Sequence, residues 1–483
     1  MEADRPWSER LPPELWQIVL SQTPSATTRE CLAVSRFFHD LAARILFSTL
    51  RIHFGCWEVG YGFTKEPPEG DRGCKSCCIL LRVITDPVFA SFVKELHVLA
   101  FADVATFEIC GLTNAISIMH NLRTFKWYTT FRPHFLPGDN ILMALASTAV
   151  NLREYTLPIQ CLGALSALKR LPASSLCIYN LDESFEMEPD PYEEYRTSCP
   201  SLLESRRGSL TQLTAPSQAI WECPIHILQD LTHLTIENGG DLSNITLLFH
   251  HCTQLQALHI VSRFDSPTEF YIALAAHPSA LPHLTHLKLQ LMCPVVAAEL
   301  ESLGGFIRTK KKLRCLDYDD EGSTLQELSP LLFAIQSLSG LEVLGLYMWL
   351  HDIGRTMCDL LRGTIPHGLK ALRLWFGYIE LDPEDNAWDG LWATLPKLAF
   401  AHIVDDASLP IVELSDIVVA NKSLRLVGRR SCLCQVVRTG DEVELSKPWP
   451  LTKVQFRTTE DFECEDWEWL MRGHALVDER DYY

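Results

Sequence analysis

Long apolar runs are missing from this sequence. With no stretch of about 18 consecutive apolar residues, no membrane-spanning helix is expected. The opening MEADRPWSER is charged and has no apolar centre, which argues against a secretory leader. Basic residues are in deficit. Lys and Arg number 42 against 61 Asp and Glu, giving a formal net charge of −19. A surface of that sign disfavours nucleic acid or an anionic membrane as the main partner. There is no Gly-rich phosphate loop, no His-Glu-x-x-His and no Gly-x-Ser-x-Gly. Each of those spacings puts a nucleophile, a metal or a phosphate cradle where chemistry needs it, and scattered His and Asp residues do not replace them. The expectation is therefore a chain without catalysis of its own and without a cofactor.

Cysteine is plentiful, but not in a disulfide pattern. Seventeen cysteines is an odd number in a long chain, which fits reduced thiols and a cytoplasmic and/or nuclear protein. Cys74, Cys77 and Cys78 form a C-x-x-C-C cluster downstream of Cys56. No second pair lies at finger-like distance, so free thiols are expected there and no metal. Cys432 and Cys434 alternate about Leu433 as half-buried strand residues would, and His250, His251 and Cys252 read as the end of a helix. The run RTKKKLR (308–314) reads either as a nuclear import signal or as a solvated turn. A hydrophobic fraction of 47% is enough for an extensive core.

Internal repetition organises that core. The pattern Leu-x-x-Leu-x-Leu, with apolar substitutions, starts at Leu122, Leu152, Leu210, Leu231, Leu255, Leu284, Leu313, Leu341 and Leu369. A weaker copy starts at Leu398, and VKELHV at Val93 is a candidate first member. From Leu255 onward the starts differ by 29, 29, 28, 28 and 29 residues, by subtraction of those positions. The gap from Leu152 to Leu210 spans two such periods, with ASSLCI at Ala173 as the missing member. Segments such as 323–340 and 351–368 carry apolar residues at helical spacing and end in Gly. Each unit is thus a strand plus a helix, neither of which can bury its apolar side alone.

This pattern resembles the leucine-rich repeat family over roughly residues 90–425, in a degenerate, long form that lacks an asparagine ladder; Gly239 stands at one such position. The fold class expected is α/β: a small N-terminal helical module followed by a curved solenoid with parallel strands on its concave face. The domains read as 8–50 helical motif, 51–90 linker or first cap with the Cys cluster, and 91–427 solenoid of about eleven repeats. A charged, proline-bearing loop falls at 182–200, and 428–483 reads as a C-terminal cap and acidic tail. Residues from Thr458 on are rich in acids and aromatics, as in a mobile tail; a capping helix or a partner-binding segment are the alternatives.

Residues 11–47 carry a second pattern. Leu11-Pro12-Pro13-Glu14-Leu15 opens an amphipathic helix with Ile18 and Val19, and Val34-Ser35-Arg36-Phe37-Phe38 follows after a turn at Pro24. The two half-motifs resemble the F-box, marked by Leu-Pro-x-Glu-Leu and, some 20 residues on, Val-Ser/Cys-Arg/Lys-x-aromatic. That resemblance implies docking on a Skp-type adaptor and through it a cullin-based ubiquitin ligase. It implies an adaptor surface made or supported by Leu11, Pro12, Glu14, Leu15, Val19, Val34 and Phe38. Thr23, and Thr28 with Arg29, stand where the family usually has leucines.

A receptor of that kind would hold a protein substrate on its repeats. In Leu-x-x-Leu-x-Leu the two later leucines face the core, so the residues before, between and after them face the concave side. This exposes Lys126, Tyr128, His233, Glu237, His259, His286, Lys288, Asp317 and Asp319. Tyr347, Arg373, Trp375 and His402 follow, and aromatic and Arg side chains make this group the expected substrate contact. The competing expectation is that a segment such as WPLTKVQF folds back over them. A leucine-rich binder that never joins a ligase is the alternative function.

Overall fold

The structure is a computed structural model that describes residues 11–23, 25–55, 70–100, 106–129, 135–179, 198–237, 242–262, 268–291, 293, 295–320, 323–348, 355–376, 387–405, 413–440, 442–474 and 476. Contacts divide the chain into two units, one running essentially to Leu210 and the other from Thr211. Cys56, most of the 182–200 loop, Gly239 and the final residues from 477 lie outside the described residues, as does the side chain of Cys74.

The first unit opens with three helices, α1 (Pro13–Ser21), α2 (Ser25–Cys31) and α3 (Arg36–Leu46). Pro13 sits at the first turn of α1, where its missing N–H costs nothing. Ser35 caps α3, its hydroxyl accepting from the Phe38 amide at 3.3 Å. α2 and α3 are separated by residues 32–35, which leaves Val34 in the turn between them. Trp16 meets Phe38 edge to face with ring centres 5.1 Å apart, joining α1 to α3.

Strands β1 (Thr49–Phe54), β2 (Glu95–Ala100), β3 (Thr124–Thr129), β4 (Glu154–Pro158) and β5 (Ser175–Tyr179) then pair in parallel, each with the next. β5 occupies the Ala173 position. β1 precedes Val93, the first repeat start read from sequence, and pairs in full register with β2. Part of 51–90 is therefore repeat-like: β1 followed by the helix Gly70–Thr85.

The second unit continues the pattern with β6 (Gln212–Pro216), β7 (His233–Glu237), β8 (Ala257–Ser262), β9 (His286–Leu291), β10 (Cys315–Asp320), β11 (Val343–Met348), β12 (Ala371–Phe376), β13 (Phe400–Asp405) and β14 (Leu426–Arg429). These nine are parallel in sequence order. β15 (Cys432–Thr439) and β16 (Glu442–Leu445) finish it antiparallel. Alternation sends Leu287, Leu289, Leu316, Tyr318, Leu344 and Leu346 into the core beneath the helices, all essentially without exposure. One such helix, Leu325–Gln336, starts with a capping box. The Thr324 hydroxyl accepts from the Glu327 amide, and the Glu327 carboxylate accepts from the Thr324 amide at 2.7 Å. This is a leucine-rich-repeat solenoid.

Candidate functional site

The strand face opposite the helices, the inner face, is organised in rows by the parallel register. The first row runs His233, Ala257, His286, Cys315, Val343, Ala371, Phe400, Leu426. The second runs Thr235, His259, Lys288, Asp317, Gly345, Arg373, His402, Gly428. From Cys315 on, the first row is an apolar stripe.

That stripe is covered by the chain's own C-terminal segment. Helices Leu451–Gln455, Thr459–Phe462 and Glu465–Met471 place Trp449, Val454, Phe462, Trp467, Leu470 and Met471 against Cys315, Val343, Ala371, Phe400, Leu426 and Leu433. Burying each such side chain is worth roughly 1.5–3 kcal/mol. What read as an acidic tail is, through residue 474, a packed element. Trp467, Leu470 and Met471 fall at helical spacing on its inner side, while Asp466 pairs with Arg314 and the buried Glu468 pairs with Arg472.

The second row supplies the polar part of the same contact. Lys288 Nζ lies 2.8 Å from Asp317 Oδ2, and both side chains are out of solvent. The same ammonium donates to the carbonyls of Leu470 at 2.9 Å and Arg472 at 2.7 Å. His474 Nε2 donates to Asp317 Oδ2 at 2.7 Å, and its Nδ1 accepts from Gln290 Nε2 at 3.1 Å. Gln290 in turn accepts from His259 Nε2 at 2.9 Å. Burial alone would raise the Asp317 carboxyl, but Lys288 and His474 outweigh it and hold it well below the carboxylate range. Burial pulls Lys288 down to about 8 against the opposing pull of Asp317. His259 falls to about 3 because it is buried and faces Lys288. Gly345 completes the fit: a Cβ there would lie 2.0 Å from Asp317 Oδ1 and 3.0 Å from Leu470 Cδ1.

The four residues expected to touch a substrate belong to this covered zone. Tyr347 stacks edge to face on Trp375 at 4.9 Å, and the Arg373 guanidinium lies 5.3 Å from the Trp375 ring centre, so the expected cluster forms. Little of it is exposed among the described residues. Arg373 and His402 have no exposure, Tyr347 is buried, and Trp375 is only half-exposed. The C-terminal segment lies over the rows beside them: Trp449 and Val454 of the WPLTKVQF stretch join the apolar cluster of Phe400 and Leu426, and His474 reaches Asp317. Arg373 donates to no hydrogen-bond acceptor among the described residues, and its charge faces Asp317 and Asp319. His402 donates from Nε2 to the Arg430 carbonyl at 2.8 Å, and burial lowers its pKa to about 3. On β7, by contrast, His233 is exposed and Thr235 and Glu237 half-exposed.

Sequence reasoning missed Gly345, Asp466, Leu470 and His474. A glycine inside a strand pattern signals a close approach, and LEVLGL carried one. The spacing of Trp467, Leu470 and Met471 signalled an amphipathic turn.

The N-terminal helices form the other candidate surface. Leu11 (39% exposed), Leu15 (45%), Ile18 (59%), Val19 (45%) and Val34 (65%) leave apolar side chains in solvent, and Pro12 and Glu14 are exposed with them. Phe38 is half-buried against Trp16. Thr28 is buried, and its hydroxyl lies 3.0 Å from that of Thr23, which donates to the Leu20 carbonyl at 2.7 Å.

Two smaller expectations can be placed. Cys77 is half-buried and Cys78 exposed on the helix Gly70–Thr85. In the RTKKKLR run Lys310 is buried, its ammonium donating to the Pro278 carbonyl at 2.7 Å and to the Ala280 carbonyl.

No family model matches the sequence, and no curated protein matches it. Among solved structures the chain is similar to the complex of Rad7 and Elc1 in yeast, at 12% identity and a TM-score of 0.43, over 87% of this chain and 88% of that one. It is also similar to a complex of TLR13 with a single-stranded RNA, at 13% identity and a TM-score of 0.30, over 71% of this chain and 47% of that one. With TM-scores this low, neither likeness bears on function. No helix among the described residues is long and apolar enough to cross a membrane.

Proposed function

We propose that this chain is a non-catalytic substrate receptor of a Skp–cullin–F-box ubiquitin ligase, working in the cytoplasm or nucleus. The observation that carries the reading is the set of exposed apolar side chains on α1 and in the turn before α3. Leu11, Leu15, Val19 and Val34 belong to the two half-motifs that resemble the F-box, and a monomer gains nothing by leaving such a group in water. In this reading those four with Pro12 and Glu14 contact the adaptor, and Phe38 holds α1 on α3 from beneath. Thr23 and Thr28 turn their hydroxyls toward each other and the Leu20 carbonyl, so their polarity is met within the helices rather than presented at the docking surface. The repeats would hold a protein, whose lysines are then delivered to the conjugating enzyme by proximity. Arg373 and His402 are fully buried and Tyr347 nearly so, which leaves Trp375 as the member of that cluster able to contact it, with His233 and Glu237 as a second open part of the inner face.

Co-purification of the tagged full chain with a Skp adaptor and cullin tests this. Wild type should recover both, and Leu11→Ala/Pro12→Ala should lose them while remaining folded by circular dichroism. A folded wild type that recovers neither would make the chain a free-standing leucine-rich-repeat binder.

A further inference from the structure

Three side chains from three separate elements converge at the edge of the apolar stripe: His286 on β9, Cys315 on β10 and Asp466 in the helix Glu465–Met471. Their ligating atoms all lie within 4.8 Å of one another. We propose that they form a divalent-metal site of the zinc type, which pins the C-terminal segment to the inner face.

The register brings the first two together. Cys315 stands directly opposite His286 in the parallel ladder, so both project from the first row of the same face. The covering helix sets Asp466 above them, with Oδ1 at 3.4 Å from His286 Nε2 and 3.8 Å from Cys315 Sγ. Bonds of about 2.0–2.3 Å from zinc to N, O and S give tetrahedron edges of roughly 3.3–3.8 Å. Two edges of the triangle have that length already, and the third needs at most a rotamer adjustment.

The protons point the same way. The Thr285 hydroxyl donates to the Gln256 carbonyl at 2.9 Å, so its oxygen is left to accept from His286 Nδ1–H at 2.8 Å. Nε2 is then directed at Asp466 Oδ1 3.4 Å away, so that the two face a common point. The Cys315 thiol donates to the same carboxylate oxygen at 3.8 Å and brings a soft sulfur donor of the kind zinc takes to that point.

Asp466 is divided between two tasks. Its Oδ2 takes Arg314 Nη2 at 2.7 Å, and Arg314 Nε is held by Glu342 at 3.1 Å. Arg314 thus orients the carboxylate from outside and leaves Oδ1 for the site. On binding, the Cys315 S–H bond breaks, the proton leaves to solvent, and a metal–thiolate bond forms. Thiolate and carboxylate together then offset the two positive charges of the ion. Three protein ligands leave a fourth position for water.

Cobalt(II) titration of the metal-stripped full chain tests this, because a tetrahedral cobalt thiolate absorbs in the visible and shows a sulfur-to-metal band in the near ultraviolet. One equivalent should produce both features, and zinc should abolish them. Cys315→Ser and His286→Ala should lose the sulfur band, whereas a Cys74→Ser/Cys77→Ser/Cys78→Ser variant should keep it. Thr285→Val, which frees the imidazole to rotate, should weaken cobalt binding by about 10–100-fold without removing any ligand. Zinc should also slow proteolytic release of the C-terminal segment. Wild type lacking the sulfur band, or Cys315→Ser retaining it, would overturn the proposal, and the wild-type titration decides even where a variant does not fold. Adaptor capture is a separate reading and should be the same with or without the metal.

Discussion

Asp317 holds both Lys288 and His474 through one carboxylate oxygen, with no exposure to solvent. Replacing it would strand an ammonium that has already given up its water. Buried pairs broken from one side typically cost about 3–5 kcal/mol, because the remaining charge stays desolvated. Asp317→Ala should therefore lower the unfolding free energy read from urea melts by that much, and Lys288→Met/Asp317→Leu should recover most of the loss. A single variant as stable as wild type would mean that Lys288 escapes to water or deprotonates. Charge identity in this row was readable from the alternation of strand residues. The pairing was not, since half of each network is contributed by carbonyls and by His474 from a segment with no repeat signature.

At the scale of elements, the decisive feature is the helix Glu465–Met471 and the two short helices before it. None is long enough to persist alone in water, so their order derives from the stripe they cover. Removing residues from Trp449 onward should uncover Val343, Ala371, Phe400 and Leu426. The truncated chain should bind a hydrophobic dye and elute larger on gel filtration, whereas an unchanged monomer would show that the stripe tolerates water. The repeats themselves were legible because one period recurs at nearly constant spacing. β1 escaped notice because its repeat begins with Phe47 instead of leucine and adjoins α3. The C-terminal helices escaped because acidic residues dominate their sequence, while the three side chains that anchor the last one are spaced by helical turns rather than grouped.

At the scale of the whole molecule, His97, His259 and His402 are buried in neutral form, each falling to about 3 from 6.5 with burial the largest cause, and burial lowers His474 as well. Between those values the unfolded chain binds protons that the folded chain refuses. Stability should therefore be present above about pH 6.5 and fall as the pH drops below it, by about 1.4 kcal/mol per pH unit for each histidine. Asp320 opposes them. Burial raises it from 3.8 to about 6, so its effect on stability grows as pH falls through that window, but it is one group against the histidines together. Urea midpoints should thus drop between about pH 7 and pH 5, and His259→Gln/His402→Gln should flatten the slope. A flat wild-type profile would show that these imidazoles reach solvent in the folded state.

The bond from Lys288 to the Leu470 carbonyl spans 182 residues. On a ribosome adding about 5–20 residues each second, β9 and β10 emerge roughly 10–40 s before their cover is synthesised. For that interval a nascent solenoid carries an open apolar stripe beside unpaired charges. The stacked repeats can assemble as they appear, but the inner face must be shielded by a chaperone or by water until the last helix arrives. Translation speed over the final repeats thereby becomes a determinant of how much of this protein reaches its folded form.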